Sequence, residues 1–255
     1  MRIETTCVTC VNEDILKGID ISKIGVPFYT AELNNDLFAE VKCQRNHVSR
    51  TVLQASRFEI YFDISISALK AGYESAAILH AFTSVERFFE FFYFVVAQDR
   101  GLDWGALVRL RSSVKLSERA FGAYCFSRFL TSLSGTSTLN TKEIDELRSL
   151  RNRVAHSGYI PKYDEAFEYL ERVYNFVTAD LSWLKITLRE SVGKQIAFEV
   201  GEAYKSACQS FDGNQISTFG VPTAFSVVSR TGSGTFENIF ASHPGRIYLE
   251  RAYAR

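Results

Sequence analysis

Net charge is the first thing this sequence lacks: its 29 Lys and Arg balance its 29 Asp and Glu. A protein that coats nucleic acid over a wide face is usually basic overall. That class is set aside, and any such contact has to be local. Cysteines are few and scattered. Cys7, Cys10 and Cys43 lie early, Cys125 and Cys208 stand alone, and the odd total argues against a disulfide framework. Long apolar runs are missing too: the greasiest stretch, 88–97, is interrupted by Glu90, whereas a membrane span needs about 20 apolar residues. No apolar segment follows Met1 in the manner of a secretion signal. The resulting expectation is a soluble protein of the reducing cytoplasm with no membrane partner. Methionine is nearly absent, one residue against 21 Phe and 12 Tyr, which implies aromatic packing between helices. There is no internal repeat.

What is present suits a real core: 46% of the residues are apolar, enough for one large domain or a medium domain with attachments. Three stretches are expected. Residues 1–48 read as a small β module, because Pro27-Phe28-Tyr29-Thr30-Ala31-Glu32-Leu33 and Leu37-Phe38-Ala39-Glu40-Val41 alternate around the turn residues Asn34-Asn35-Asp36, which predicts a hairpin. Residues 49–190 read as helical. The expected helices are 50–70, a buried 73–98, and 106–132 with a break. A loop at 133–140 follows. A further helix is opened by Asn140 and Glu143 and stopped by Gly158 and Pro161. The last helix carries a seam of Phe167, Leu170, Tyr174, Val177, Leu181, Leu184 and Leu188, at spacings of three and four. That seam suits packing within a bundle, or a dimer. Residues 191–255 lose the helical period; alternation in 194–200, parts of 223–229 and 246–249 predicts a small β or mixed region.

Two pairs of metal-ligand residues stand out in the N-terminal module. Cys7-Val-Thr-Cys10 and Cys43-Gln-Arg-Asn-His47 supply four N/S donors, the number that tetrahedral zinc takes. The second pair follows directly on the predicted strand at 37–41, where a knuckle belongs. A module this small gains from a metal staple. Four protein ligands would close the site, making the zinc structural. The plainer alternative is three free thiols and a surface histidine.

The helix after the 133–140 loop carries the second constellation. At about 100° per residue, Ile144, Leu147, Leu150 and Val154 share one face, and Arg151 falls in the middle of it. Arg148, Asn152 and His156 form a flank beside it. An unpaired buried charge costs several kcal/mol, roughly, so Arg151 requires a carboxylate, a partner chain's groups or a polar cleft that phosphate can enter. Glu86 and Glu90 on the 73–98 helix are the internal carboxylates within reach. His156 in the last turn is favoured as imidazolium by the helix dipole and can take and return a proton near neutrality. Arg can stabilise charge on a phosphorane, and Asn152 can orient substrate or imidazole. These are the parts needed to cut RNA through its own 2′-hydroxyl without a metal. A solvated helix end is the plainer alternative.

Arg151-Asn152-Arg153-Val154-Ala155-His156 resembles the Arg-x4–6-His motif of the HEPN family in its Arg-Asn-x3-His form. Gly72-Tyr73-Glu74-Ser75-Ala76-Ala77, followed by Val85-Glu86-Arg87-Phe88, is similar to the helix that precedes the motif in that family. His156-Ser-Gly-Tyr-Ile-Pro161, followed by Glu165-Ala166, is similar to its exit into the final helix. The similarity spans roughly 50–190. It implies a mainly α fold: an antiparallel helical bundle, here carrying a small zinc-ribbon-like β module and a small C-terminal mixed region. It also implies a homodimer whose two motifs form one cleft, and often a metal-independent endoribonuclease of toxin–antitoxin, phage-defence or CRISPR-linked systems. By position Arg151 and His156 are then catalytic, with Asn152 and Glu86 supporting, and Arg148 and Arg153 contact substrate. The expected partners are RNA, a second copy of the chain, and an antitoxin or regulatory protein. Zinc is structural, and catalysis needs no cofactor. Some members of the family are inactive and serve as nucleotide-binding or dimerisation modules, here with a partner-docking zinc ribbon.

Several features read as structural. His80 sits in an apolar helix as a core histidine, and His243 precedes Pro244-Gly245 in a loop. Cys125 and Cys208 read as core thiols. Thr231-Gly-Ser-Gly-Thr235 lacks the lysine of a phosphate-binding loop. Glu165, Glu168 and Glu171 form the wet side of a helix.

Overall fold

The computed structural model describes residues 2–19, 27–114, 117–131, 141–209, 211, 215–220, 223–225, 227 and 234–243. The expected mainly α architecture is found, with nine helices and five short strands among the described residues. These residues divide into two compact units. The first comprises 2–55 and 196–220, the second 56–195 and 223–243. Expected features that fall outside the described residues are the 133–140 loop with Asn140, the 246–249 alternation, Pro244-Gly245 and most of Thr231-Gly-Ser-Gly-Thr235.

In the first unit β1 (Arg2–Thr6) runs antiparallel to β2 (Phe28–Glu32). Strand β3 (Phe38–Lys42) runs antiparallel to β4 (Val48–Leu53), which pairs on its other edge, in parallel, with β5 (Ile216–Phe219). The strands and turn expected at 27–41 are present, but the hairpin is not formed as a ladder: β2 and β3 belong to different sheets. Asn34 Oδ1 accepts the N–H groups of Asp36 and Phe38, an Asx turn. Among the described residues a Leu33–Ala39 bridge joins the two strands, whose main ladders are taken by β1 and β4. Ile3, Ala31, Ala39 and Val41 form the core here, with Tyr29 and Leu33 against them.

Three expectations change in this unit. Residues 50–53 belong to β4 and not to a helix. Thr51, Val52 and Leu53 of β4 are buried in succession, so its second half lacks the alternation that marks a half-buried strand. Residues 8–16 form α1 (Val8–Leu16), so Cys7 and Cys10 open a helix and do not sit on a β knuckle. Residues 194–200 lie in α8 (Arg189–Cys208), which has residues in both units. Its buried positions Val192, Gln195, Ala203 and Ala207 keep helical spacing. The C-terminal stretch is therefore not one appended piece: β5 completes the first unit's sheet, while 223–243 belongs to the second. The expected limits at 48 and 190 give way accordingly.

The second unit is built round α3 (Glu74–Asp99), buried nearly all round as its continuous apolar sequence requires. Against it pack α2 (Arg57–Lys70), α5 (Ser117–Thr131), α6 (Thr141–His156) and α7 (Tyr163–Thr187); α4 (Trp104–Ser113) and α9 (Phe236–Ser242) complete the unit. The phenylalanine excess is spent here. Phe58 meets Phe88 edge-on at 5.2 Å, Phe89 lies 4.5 Å from Tyr124, and Phe62 lies 4.6 Å from Phe225. The α7 seam is buried within the unit at Leu170, Tyr174, Val177, Leu181 and Leu184, which is packing inside the bundle. No helix among the described residues is long and apolar enough to cross a membrane.

Residues 223–243 are tied to α2 by buried polar contacts. Glu59 accepts the N–H groups of Ser56 (2.8 Å) and Val227 (3.1 Å) and the hydroxyl of Thr223. Asp63 accepts the N–H of Ala224 at 3.0 Å. His243, expected as a loop residue, lies in a bend just after α9, and its side chain is buried with Nε2 3.7 Å from Asp63.

Candidate functional site

Helix α6 is polar along most of its length and is held by Ile144 and Leu147, both buried. The Tyr169 hydroxyl donates to the Leu147 carbonyl at 3.0 Å. Burial pushes that phenol well above its ordinary range, so it stays protonated and keeps donating. Leu150, Arg151 and Val154 are half-buried on the same face. The Arg151 side chain is 30% exposed and finds an internal carboxylate: Nη2 lies 4.0 Å from Glu86 Oε1. Its Nη1 donates to Asn152 Oδ1 at 2.9 Å, and the guanidinium stands 5.5 Å from the centre of the Phe82 ring. Glu90, the other carboxylate within reach, is occupied by Arg87 at 2.7 Å.

The other motif residues turn elsewhere. Five positions at about 100° each place His156 about 140° round the helix from Arg151. Arg148, Ser149, Asn152, Arg153 and His156 line an open depression of about 470 Å³ along the flank of α6. Arg148 is braced by Asp145 at 3.1 Å and by the Phe121 ring at 4.7 Å. Arg153 pairs with Glu165 at 3.3 Å and lies 4.3 Å from the Tyr159 ring, and the Tyr159 hydroxyl donates to the same carboxylate at 2.8 Å. Glu165 is thus a brace for the motif and not merely a wet helix face. Asp145 and Ser157 also line the depression. The sequence signal for Asp145 is its place on the same three-and-four row as Arg148, Asn152 and His156. Gly158, at φ +65, terminates the helix in the left-handed conformation that glycine tolerates best, and His156 is left exposed in the last turn.

The first unit brings Cys7, Cys10, Cys43 and His47 together, with all four donor atoms within 4.8 Å of one another. Cys10 Sγ lies 3.5 Å from Cys43 Sγ and 3.3 Å from His47 Nδ1. Local backbone geometry builds both halves. Cys7 is the N-cap of α1, which puts Cys10 in the first turn, where the helix dipole favours thiolate. In the second half the Cys43 N–H donates to the His47 carbonyl (3.1 Å) and the Asn46 N–H to the Cys43 carbonyl (2.9 Å). Asn46 takes the left-handed φ of 62° that the tight turn demands. Burial, together with hydrogen bonds that the thiol donates to Cys43 and Cys7, pushes Cys10 up to about 12. Burial pushes Cys43 the same way, but hydrogen bonds from Cys10 and from the backbone of His47 and Arg45 outweigh it and leave that thiol below its ordinary value. Three buried thiols and an imidazole so arranged are a group that can hold a metal ion.

Three neighbours of the cluster went unread in the sequence. His47 Nε2 lies 3.3 Å from Glu13 Oε1, and Arg45 reaches Asp14 at 2.9 Å and Glu13 at 3.4 Å. The signal was there only for a helical reading of 8–16, which sets Glu13 and Asp14 one turn beyond Cys10. Elsewhere, His80 is half-buried beside the Tyr61 ring at 6.2 Å, and burial lowers its pKa. Cys125 and Cys208 are half-buried and not deep core thiols. Compared with protein-family models, curated proteins and solved structures, the chain gives no match.

Proposed function

We propose that this protein is a metal-independent endoribonuclease of the HEPN type, acting as a homodimeric toxin or defence effector. The observation that carries the reading is the open depression on α6, where Arg148, Asn152, Arg153 and His156 stand together. A backbone phosphate seated there meets two guanidinium groups and an exposed imidazole at a helix C-terminus. His156 takes the 2′-hydroxyl proton, the 2′-oxygen attacks phosphorus, and the bond to the 5′-oxygen breaks. The products are a 2′,3′-cyclic phosphate and a 5′-hydroxyl, whose proton is returned by an imidazolium. Arg151, held by Glu86 and Asn152 on the adjoining face, serves the phosphorane charge where two motifs meet across a dimer. The test incubates wild type, Arg151→Ala and His156→Ala with total RNA and a chelator. Cyclic-phosphate ends from wild type alone are expected; a folded, dimeric wild type that leaves RNA intact sinks the proposal.

A second reading has its own observation. Arg151 and His156 point to different sides of α6, and Arg151 is already engaged by Glu86, Asn152 and Phe82. That arrangement suits an inactive module that binds a nucleotide or dimerises, with the metal module docking a partner. Retained dimerisation and nucleotide binding without RNA cleavage would favour it.

The metal in the first unit is, on this proposal, zinc. Three thiolates and one imidazole are the donor set zinc prefers in tetrahedral structural sites, and four protein ligands leave no open position. Elemental analysis should find about one zinc per chain.

A further inference from the structure

The zinc proposed above takes one imidazole nitrogen of His47, and the fate of the other nitrogen is fixed by the geometry. His47 Nδ1 faces the cysteine sulfurs, 3.3 Å from Cys10 Sγ, while Nε2 faces Glu13 Oε1 at 3.3 Å. A neutral imidazole has one protonated nitrogen and one with a free lone pair, and only the latter can ligate. A carboxylate on Nε2 holds the proton there and leaves the Nδ1 lone pair for the metal.

Charge points the same way. Three thiolates and a divalent cation leave the centre with one net negative charge. Arg45, inside the Cys43–His47 turn, raises the local positive charge and is itself held by Asp14 and Glu13; Asp14 above all favours its charged form. Guanidinium, two carboxylates and imidazole thus form a chain from α1 to the β3–β4 turn. Its links are partly exposed, with His47 and Glu13 side chains at 25% and 39%, so it does not stand in for core packing.

We propose that Glu13 is a positioning residue of the metal centre: it commits His47 to coordinate through Nδ1, and Arg45 holds Glu13 in place to do so. This deepens the zinc reading and rests on it. The full chain is loaded with zinc and titrated against a chromophoric chelator, and its His47 tautomer is read from long-range ¹H–¹⁵N couplings. Wild type should show a protonated Nε2 and a metal-bound Nδ1. Glu13→Ala should bind zinc about 10-fold to 100-fold more weakly. Glu13→Gln, whose amide oxygen still accepts from Nε2–H, should fall between the two. Circular dichroism of the zinc-loaded variants checks that α1 and the bundle are retained. A wild type that binds no zinc overturns both this proposal and the metal reading. A wild type that binds zinc while Glu13→Ala stays within about twofold of it, or that ligates through Nε2, overturns the role of Glu13 alone.

Discussion

The two units spend different currencies on staying folded. The second is packed with large rings: Phe58, Phe62, Phe82, Phe88, Phe89, Phe91, Phe92, Tyr124, Tyr174 and Phe236 are all fully buried, each burial being worth roughly 1.5–3 kcal/mol. The first unit's described core uses smaller side chains: Ile3, Ala31, Ala39 and Val41 form one cluster, and Val52 and Leu53 are buried in β4. Its other buried cluster is Cys7, Cys10 and Cys43. On the readings proposed above, the first unit's donor cluster is structural, while the proposed chemistry sits on α6 of the aromatic-packed second unit.

Removing the metal should separate the units most sharply. Structural zinc is worth roughly 10–16 kcal/mol to small metal-dependent folds, so a strong chelator, or Cys43→Ser, should open residues 2–55 to protease. The helical signal of the second unit should persist. Simultaneous loss of both would show that the bundle also depends on the metal. The converse experiment empties the aromatic core: Phe88→Ala should cost about 3–5 kcal/mol in denaturant midpoint and leave zinc stoichiometry unchanged.

The smallest effect is a pH dependence confined to the second unit. Burial pushes the Glu59 carboxyl up to about 7, against hydrogen bonds from Thr223, Ser56 and Val227 that pull it down. Its folded-state value lies above the ordinary carboxylate value, so the folded state holds the extra proton. The stability from this group is full below about pH 4.5 and is lost as pH rises through about 7. Thermal unfolding from pH 8 to pH 5 should show the bundle gaining up to about 3 kcal/mol, and Glu59→Gln should flatten that slope. An unchanged slope in the variant would assign the titration to another group.

Much of the second unit was legible because its helices are long and periodic. The 73–98 run and the 167–188 seam each offered several turns of evidence, and α3 and α7 lie where those patterns put them. Short elements were not. In α1, nine residues give little more than two turns, and the β-branched Val8, Thr9 and Val11 near the start weaken the helical signal. In α8, the alternation of 194–200 competed with a helical spacing that is clear only over the whole Arg189–Cys208 span. Strand β4 depended on β5, which arrives from far along the chain and leaves no local trace. The sites divide along the same line. The four metal donors come as two tight local pairs and were readable, whereas Glu13 and Arg45 meet only once α1 and the knuckle have folded. On α6 the row of Arg148, Asn152 and His156 was readable from spacing, and the Glu86 contact of Arg151 followed from the inward angle. The Glu165 brace required knowing how the chain turns back after Gly158.

The two ligand pairs of the first unit enclose residues 11–42, so a bound ion there ties the ends of a loop. The entropy of closing such a loop grows only logarithmically with its length, about 0.6 kcal/mol for each doubling. Chain inserted between α1 and β2 would therefore weaken the module far less than displacing any one donor atom. Changes of length between α1 and β2 should therefore be tolerated, and changes at the two clasps resisted.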